Sequence, residues 1–467
     1  MNVSNWTRKG QIMKSAVVNA PATNDLSSIF IIEDWSDKKK EDKTAKILAD
    51  NLGIDLPEVS NKNEKFFIYD EQAKSLQTED SLQEYLLFRR QHDYRVKPQT
   101  WSVRVVGVPH DQPLTHGQVR KDNSLTQDMI DDDNIIEAGL DNGLVIVHPK
   151  ESGKDQEAHR LMYTGYSGLC RAAGIYGASL SRVIPTKGRG VLPADERGKI
   201  FTDCLRLLES DRINLLVRDG AVAHVGSSSY QALDAAEGYL AFKDYLDKQY
   251  PDNVYAGGEV SEEYLMYKFD TNTDTTDLEE KLEGFGVDIG NGVSLRLRYT
   301  TSDVGNSAMR VVPILTINNM DIVMNEGVNV RHDIGNTIWD KDLHIKGRVS
   351  LEGQLPKLAN SLDEMEDAIE ALGNIDIKYV TGSFVRAAKT LTGLNKETIE
   401  AEKKDMLLTG DFEGTGIDVY IAINRAIVRQ CTDGSDFNVS KYVELTEAAT
   451  KFLYENFARY DKPVDED

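Results

Sequence analysis

Two short apolar runs in the middle of the chain flank the dipeptide Asp219-Gly220, and alternating segments follow them. Asp-Gly is typical of a type I′ turn, in which both central residues need positive φ, so this region predicts a β-hairpin. Val293–Thr301 alternates apolar and polar residues strictly and predicts a half-buried strand. Glu259–Asp270 and Ser307–Ile317 show the same alternation more roughly. Together these segments predict an antiparallel sheet.

Helical periodicity is present on both sides of the predicted sheet. Tyr230–Tyr250 carries apolar residues near helical spacing and predicts a long amphipathic helix. From Pro356 onward the pattern is helical, with glycines where helices are expected to end. Before the sheet, Ala158–Ala173 predicts a helix that follows a linker at Lys150–Gln156. The sheet is therefore expected to pack against helices.

The first third of the chain contains a shorter set of elements. Trp101–Val108 alternates and predicts a strand, Gly143–His148 predicts another, and Asp80–Arg90 predicts a helix. Residues 1–29 show no period and predict a flexible lead-in. Residues 30–150 therefore predict a small α+β N-terminal unit.

These elements predict the α+β fold class and three structural units. Residues 157–350 are the predicted central α+β domain, an antiparallel sheet with packed helices. Residues 351–467 are the predicted helical C-terminal unit. A chain of 467 residues has room for two to three units at about 100–200 residues each.

The composition narrows the classes of function. The formal net charge of −23 favours solubility, and it excludes a nucleic-acid footprint over the whole surface because phosphate contacts need Lys and Arg. The three cysteines are far apart and predict neither a disulfide framework nor a zinc ribbon. The N-terminus lacks the apolar stretch of a signal peptide, and no apolar run approaches the roughly 18 residues of a membrane span. A soluble cytoplasmic protein with no membrane partner is expected.

Three stretches of the chain resemble a known family. They are Leu216-Val-Arg-Asp-Gly followed by Ser229-Tyr-Gln, Gly257-Gly before a strand, and Tyr299–Arg310 followed by Val330-Arg-His. They are similar to the phage/plasmid-like protein family, which is built on a domain of unknown function (number nine-three-two in the usual series). The likeness extends over Ile213–Asp342, about a third of the chain.

The resemblance implies a setting more than a chemistry. Family members occur in phages and conjugative plasmids, near replication and anti-restriction genes. The resemblance therefore implies a role with single-stranded DNA during replication, recombination or transfer in a bacterial host cell. The chain departs from the family pattern at Asp303-Val-Gly, where Val304 interrupts an Asp-Gly pair, and at Leu315-Thr-Ile-Asn-Asn, which lacks the family's cysteine.

A basic stretch is the first candidate contact with a polyanion. Residues 171–218 contain nine Lys and Arg against five Asp and Glu, in a chain that is acidic overall. A Gly/Pro loop within it could follow a single strand, with neighbouring tyrosines as stacking faces; a solvated loop and core tyrosines are the alternative. The candidate nucleic-acid-binding side chains are Arg182, Lys187, Arg189, Arg197 and Lys199, and the candidate stacking side chains are Tyr163, Tyr166 and Tyr176.

A polar turn downstream is the second candidate contact. Backbone N–H groups of such a turn, with nearby Arg side chains, can hold a phosphate. The alternative is that Asp, Gly and Asn are present only because a tight turn needs them. The candidate nucleic-acid-binding residues of this turn and of the segment after it are Ser302, Asn306, Arg310, Arg331 and His332.

Enzyme signatures are absent from the sequence. It contains no phosphate-binding P-loop, no dinucleotide-binding glycine motif, no HExxH and no GxSxG. The eight histidines show no metal-ligand spacing, so no catalytic residue, metal or cofactor is predicted. The expected function is a non-enzymatic, nucleic-acid-associated protein, and a homo-oligomer is compatible with it. A virion structural or assembly protein, and an enzyme with an unrecognised carboxylate or Arg/His site, are the alternatives.

Overall fold

The computed structural model describes most of the chain in separate ranges. These are residues 42–59, 61–62, 64, 66, 74–108, 143–150, 155–175, 192–208, 212–227, 230, 234–290, 292–304, 308–318, 320–323, 327–330, 351–408, 411–432 and 437–464. The helices are α1 (Lys43–Leu52), α2 (Glu79–His92), α3 (Tyr163–Ala172), α4 (Ala194–Arg206), α5 (Ala235–Gln249), α6 (Thr276–Gly284), α7 (Ser361–Gly373), α8 (Val380–Ala388), α9 (Lys396–Leu407), α10 (Gly416–Thr432) and α11 (Val439–Ala449).

The strands form antiparallel sheets. In chain order they are β1 (Lys74–Leu76), β2 (Tyr94–Val96), β3 (Arg104–Gly107), β4 (Leu144–Pro149), β5 (Gln156–Arg160), β6 (Ile213–Arg218), β7 (Ala221–Ser227), β8 (Val254–Val260), β9 (Leu265–Asp270), β10 (Val293–Thr301), β11 (Met309–Ile317), β12 (Met320–Val323), β13 (Val328–Val330), β14 (Asp376–Ile377) and β15 (Gly414–Thr415). Antiparallel sheets together with helices confirm the predicted α+β fold class.

The chain divides into two compact units, each built from separate parts of the sequence. Unit 1 consists of Met1–Asp42, Glu58–Lys65 and Gln91–Tyr230, and unit 2 of Lys43–Pro57, Phe66–Arg90 and Gln231–Asp467. This division differs from the predicted boundaries at 150 and 157. The difference has a direct cause, because β4 and β5 pair with each other across that segment.

Unit 1 contains two three-stranded sheets, in the orders β2-β6-β7 and β3-β4-β5. Helix α3 packs on β7 and helix α4 packs on β3. The close approach of α3 requires glycine, because a Cβ at Gly165 would overlap the carbonyl of Val222. The core between these elements includes Ile146, Phe201 and Leu215, all buried.

The predicted β-hairpin is confirmed between β6 and β7. Asp219 and Gly220 have φ values of 53° and 75°, so both central residues occupy the positive-φ region that a type I′ turn needs. The Asp-Gly dipeptide therefore predicts this turn correctly.

The predicted helix over Ala158–Ala173 is wrong in its first part. The chain forms β5 at Gln156–Arg160, and the helix begins only at Tyr163. The N-terminal part of this segment is held by pairing with β4, and tertiary pairing of this kind overrides local helical spacing. The predicted strand at Trp101–Val108 is shorter for a related reason, because Thr100–Ser102 forms a 3-10 turn before β3.

Unit 2 is built on a sheet in which β1-β8-β9-β10-β11-β12 lie side by side and β13 pairs with β11. Nearly all residues of β11 are buried, so both faces of this strand are covered. One core packs α1, α2 and α5 on the sheet, and a second packs the C-terminal helices on it. The predicted helical pattern after Pro356 is confirmed by α7 to α11. Among the described residues, no helix combines the length and the apolar character required to cross a bilayer.

Candidate functional site

The predicted basic stretch is only partly within the described residues. Arg182, Lys187 and Arg189 lie outside them. Arg197 is on α4 but is buried, and its side chain hydrogen-bonds the Tyr166 hydroxyl. Lys199, two residues further along α4, is exposed. Of the two predicted contacts on this helix, Lys199 therefore faces solvent, whereas Arg197 helps to hold α4 against α3.

The polar turn between β10 and β11 has a structural role in its described part. Ser302 is buried, and Arg310 on β11 forms an ion pair with Glu447 of 2.7 Å between Arg310 Nη1 and a carboxylate oxygen. Asn306, Arg331 and His332 lie outside the described residues. The turn belongs to unit 2 and the basic stretch to unit 1, so the two predicted contacts belong to different compact units.

The two units differ strongly in charge. Unit 1 contains 25 Lys and Arg against 26 Asp and Glu, a net charge of −1. Unit 2 contains 29 against 51, a net charge of −22. Almost all of the net negative charge, which argues against polyanion binding, is therefore in unit 2.

The predicted stacking tyrosines differ in their exposure to solvent. Tyr163, the first residue of α3, is 72% exposed. Tyr166, one turn later, is buried against Phe201, with ring centroids 5.9 Å apart. Tyr176 lies outside the described residues. Tyr163 is therefore the described member of the three that can offer a ring face to a base.

A second candidate site lies on the hairpin formed by β4 and β5. His148 is directly opposite Glu157 in the antiparallel register, and His159 is two residues beyond Glu157 on the same strand. Directly opposite residues share a face of the sheet, and so do residues two apart. The three side chains therefore converge, and their ligand atoms all lie within 4.8 Å of one another. We call these three residues the histidine–glutamate cluster.

Both histidines of the cluster bind a backbone carbonyl through the same ring nitrogen, Nδ1. His159 Nδ1 lies 2.9 Å from the carbonyl oxygen of Gly220, and His148 Nδ1 lies 2.9 Å from that of Pro149. A carbonyl oxygen can only accept, so each Nδ1 carries a proton and donates it. In the neutral tautomer this leaves the lone pair of each Nε2 available. His148 Nε2 is buried and has no hydrogen-bond partner among the described residues.

Two donors approach the cluster from the side of Glu157. Lys62 Nζ lies 3.0 Å from Oε1 and 3.1 Å from Oε2 of Glu157. The Tyr94 hydroxyl lies 3.5 Å from Glu157 Oε1 and 3.5 Å from His159 Nε2. Both histidines are almost fully buried, whereas Glu157 and Lys62 are 15% and 33% exposed. The cluster is therefore accessible from its carboxylate side.

Burial and neighbouring charge set the protonation of the cluster at neutral pH. Burial, followed by the charge of His159, lowers the pKa of His148 to about 4, so its imidazole is neutral. Burial by itself raises the pKa of Glu157, but the hydrogen bond and charge of His159 in its protonated form, and the charge of Lys62, outweigh burial and hold this pKa well below its usual range. A neutral imidazole and an ionised carboxylate are the forms that bind metal ions.

This cluster escapes detection because the sequence predicts a linker through Gln156 and a helix from Ala158, where the structure has β5. In a helix, Glu157 and His159 would lie on different faces, but in a strand they share one. The available signal is the spacing Glu-x-His in Gln156–Arg160, which has the two-residue period of a strand. Its pairing with His148 depends on the register of the β4–β5 hairpin, which no local pattern specifies.

Comparisons with known proteins give no match. No protein-family model, no curated protein and no solved structure matches this chain. The resemblance to the phage/plasmid-like family therefore remains an expectation that depends on the quoted motifs.

Proposed function

We propose that this chain binds single-stranded nucleic acid through unit 1 and does so without catalysing a reaction. The observation that carries this proposal is the charge difference between the units, −1 in unit 1 and −22 in unit 2. Binding to a phosphate backbone depends on Lys and Arg contacts and is opposed by a dense negative surface. Unit 1 is therefore the part of the chain that is suited to such a ligand.

The elements next to the basic loop support this assignment. Helix α4 directly follows the predicted loop and exposes Lys199, and it packs against α3, whose first residue is the exposed Tyr163. A cation and an exposed ring on neighbouring helices are the contacts that hold single strands without reading their sequence. Because α4 also exposes Asp195 and Glu196, the positive excess depends on Arg182, Lys187 and Arg189 of the loop.

Fluorescence anisotropy with a labelled single-stranded oligonucleotide at low salt tests this proposal. We expect binding at micromolar protein, and the double variant Lys187→Glu with Arg189→Glu should weaken it. The slope of log affinity against log salt should become shallower by about 0.7 for each phosphate that the variant no longer neutralises. The matched control is Lys396→Glu with Lys404→Glu, which makes the same charge change at exposed positions of α9 in unit 2.

Two results would contradict the proposal. One is the absence of binding by the unaltered chain at micromolar protein. The other is an equal loss of affinity in the loop variant and in the α9 control, because this would reflect total charge and not a local interaction.

The variant Tyr163→Ala tests the stacking interaction separately. Loss of one base-stacking ring costs about 1–3 kcal/mol of binding free energy. Because Tyr163 is largely exposed, the substitution should leave the free energy of unfolding nearly unchanged. An affinity for the oligonucleotide equal to that of the unaltered chain would remove Tyr163 from the proposed surface.

A virion structural or assembly role remains the other candidate for a protein of a phage. It predicts large symmetric particles in size-exclusion chromatography, without affinity for the oligonucleotide. Monomers or small oligomers that bind the oligonucleotide would instead support the nucleic-acid proposal.

A further inference from the structure

We propose that His148, Glu157 and His159 form a binding site for a divalent transition-metal ion. This site is independent of the proposed nucleic-acid contact, because none of its residues belongs to the basic stretch. The three residues meet on one face of the β4–β5 hairpin, so the backbone register of a single pair of strands positions all of them.

The hydrogen-bond donors and acceptors of the histidine–glutamate cluster do not balance. Both Nδ1 atoms donate to backbone carbonyls, so in the neutral histidines both Nε2 atoms are acceptors, as are the carboxylate oxygens of Glu157, and ligand atoms of all three residues lie within 4.8 Å of one another. Acceptors do not bond to each other, and a buried polar atom without a partner costs about 1–3 kcal/mol. His148 Nε2 is such an atom within the described part of the chain. A cation bound between the three groups would satisfy all of them.

The distances between the ligand atoms of the three residues can be compared with those of a metal site. Metal–ligand bonds of about 2.0–2.2 Å in a tetrahedral site hold ligand atoms about 3.3 Å apart. His159 Nε2 and Glu157 Oε1 are already 3.6 Å apart. The rings of His148 and His159 are stacked with centroids 5.3 Å apart, and one ligand atom of each of the three residues lies within 4.8 Å of the others. Formation of the site therefore requires the ligand atoms to approach by at most about 1.5 Å, together with a rotation of one of the two nearly parallel rings, so that both in-plane lone pairs point to the ion.

The chemistry of the donors selects the class of ion. Two imidazoles and one carboxylate suit zinc, iron(II), cobalt(II) or nickel(II), whereas calcium and magnesium prefer oxygen ligands alone. Three protein ligands leave at least one coordination position for water or another small ligand. That position would face the exposed side of the cluster, where Glu157 and Lys62 reach solvent.

The neighbouring groups have the arrangement of partners that orient metal ligands. Backbone carbonyls of Gly220 and Pro149 fix the two imidazole rings through Nδ1, as partners of ligating histidines generally do. Lys62 contacts both oxygens of Glu157, and Tyr94 contacts Oε1. The Gly220 carbonyl belongs to the Asp-Gly turn of the β6–β7 hairpin. A turn that the sequence predicts therefore orients His159, which the sequence does not predict to be a metal ligand.

The competing explanation is an ion pair between a protonated His159 and Glu157, with no metal. Zinc titration of the full chain distinguishes the two. The chain is first dialysed against a chelator, then loaded with zinc, desalted and analysed for metal content. We expect one tightly held zinc per chain and no comparable retention of magnesium or calcium. Cobalt(II) should give visible absorption of a nitrogen- and oxygen-coordinated ion, without thiolate charge-transfer bands.

Substitutions locate the site. His148→Gln, Glu157→Gln and His159→Gln should each lower zinc affinity by more than about 100-fold, because loss of a ligand exceeds the roughly 10–100-fold effect of an outer partner. Tyr94→Phe should fall within that smaller range. The matched control is His92→Gln, at a buried histidine of unit 1 that lies 3.3 Å from the carboxylate of Glu64 but belongs to no group of three possible metal ligands among the described residues. It should bind zinc as the unaltered chain does.

Circular dichroism separates loss of the ligand from loss of the fold in each variant. If a variant is unfolded, metal retention and the cobalt spectrum of the unaltered chain still decide the question. The proposal is overturned if the unaltered chain retains no stoichiometric zinc after desalting. It is also overturned if folded ligand variants bind zinc like the unaltered chain, or if His92→Gln loses zinc to the same extent.

Discussion

The histidine–glutamate cluster of unit 1 and a carboxylate network of unit 2 both place an ionised carboxylate beside basic side chains of the same sheet. In unit 2, Asp321 on β12 accepts from Lys268 Nζ at 2.6 Å and from Thr316 Oγ1 at 2.8 Å. Arg296 Nη1 lies 3.4 Å from Asp321 and Arg296 Nε lies 3.4 Å from Asp270. We call these five residues the aspartate network. Each oxygen of Asp321 has a donor, whereas His148 Nε2 in the cluster of unit 1 has no partner within the part of the chain that the structure describes.

This difference separates two uses of buried polar residues. A network whose donors and acceptors match compensates its own desolvation and needs nothing from outside. A cluster with excess acceptors is stable only if the rest of the fold compensates for it, or if a cation binds. An unsatisfied acceptor that lies beside two further possible metal ligands therefore indicates a cation site better than a buried charge does. Removing one side chain from the cluster or from the aspartate network, and measuring the effect on its neighbours, tests this difference.

The largest effect is expected from Asp321→Ala in the aspartate network. The substitution leaves Lys268 and Arg296 with an uncompensated positive charge beside a buried position. Removal of one partner from a buried ion pair costs about 3–5 kcal/mol. Urea denaturation followed by circular dichroism should show this loss of unfolding free energy. A loss below about 1 kcal/mol would mean that the network is exposed to water and contributes little.

Zinc should stabilise unit 1 selectively. A ligand that binds only the folded state stabilises it by about 2.7 kcal/mol at 100 times its dissociation constant. Hydrogen exchange should therefore slow in β4 and β5, which carry the cluster, and stay unchanged in β10 and β11, which carry part of the aspartate network. Equal protection of both regions would indicate non-specific binding to acidic surface. Absence of protection in β4 and β5 would contradict the metal site.

The two regions also differ in how far the sequence predicts them. The strict alternation of Val293–Thr301 predicts β10 with its observed bounds, and β10 positions Arg296 beside Asp270. The Asp219-Gly220 turn is predictable because positive φ at both residues is a local requirement. The histidine–glutamate cluster is not predictable in this way. Its three residues meet only through the register of β4 against β5, and the sequence predicts a helix from Ala158, within β5.

The predicted polar turn illustrates the opposite limit. Ser302 and Arg310 have the residue types of an anion site, but the fold buries Ser302 and pairs Arg310 with Glu447. The pairing depends on helix α11, more than a hundred residues further along the chain, and no local pattern reports it or the burial of Ser302. Residue type therefore proposes a site, and only the tertiary neighbours decide whether the groups remain available to a ligand.

The free energy of unfolding should depend on acidic pH more strongly in the unaltered chain than in a variant with an uncharged residue in place of Asp321. Burial alone raises the pKa of Asp321, but the charge and hydrogen bond of Lys268, with Thr316 and Arg296, lower it below its ordinary value. Below the unfolded pKa of about 3.9 the unfolded chain binds the proton more readily. The stabilisation is therefore complete above about pH 4 and is lost as the pH falls through the folded pKa. Urea denaturation at a series of acidic pH values should show a steeper decline for the unaltered chain than for Asp321→Asn.

The smallest effect is expected at an exposed ion pair on α5, which is the control for Asp321→Ala. Asp244 and Lys248 are four residues apart, and their charged atoms are 2.6 Å apart, yet their side chains are 51% and 66% exposed. Water screens such a pair, so Asp244→Ala should cost only about 0.3–0.5 kcal/mol in urea denaturation. Its contribution should also shrink when salt is added, because exposed charges are screened within about 10 Å at 0.1 M salt. A loss comparable to that of Asp321→Ala would mean that the distance between charges, and not the completeness of a buried network, determines their contribution.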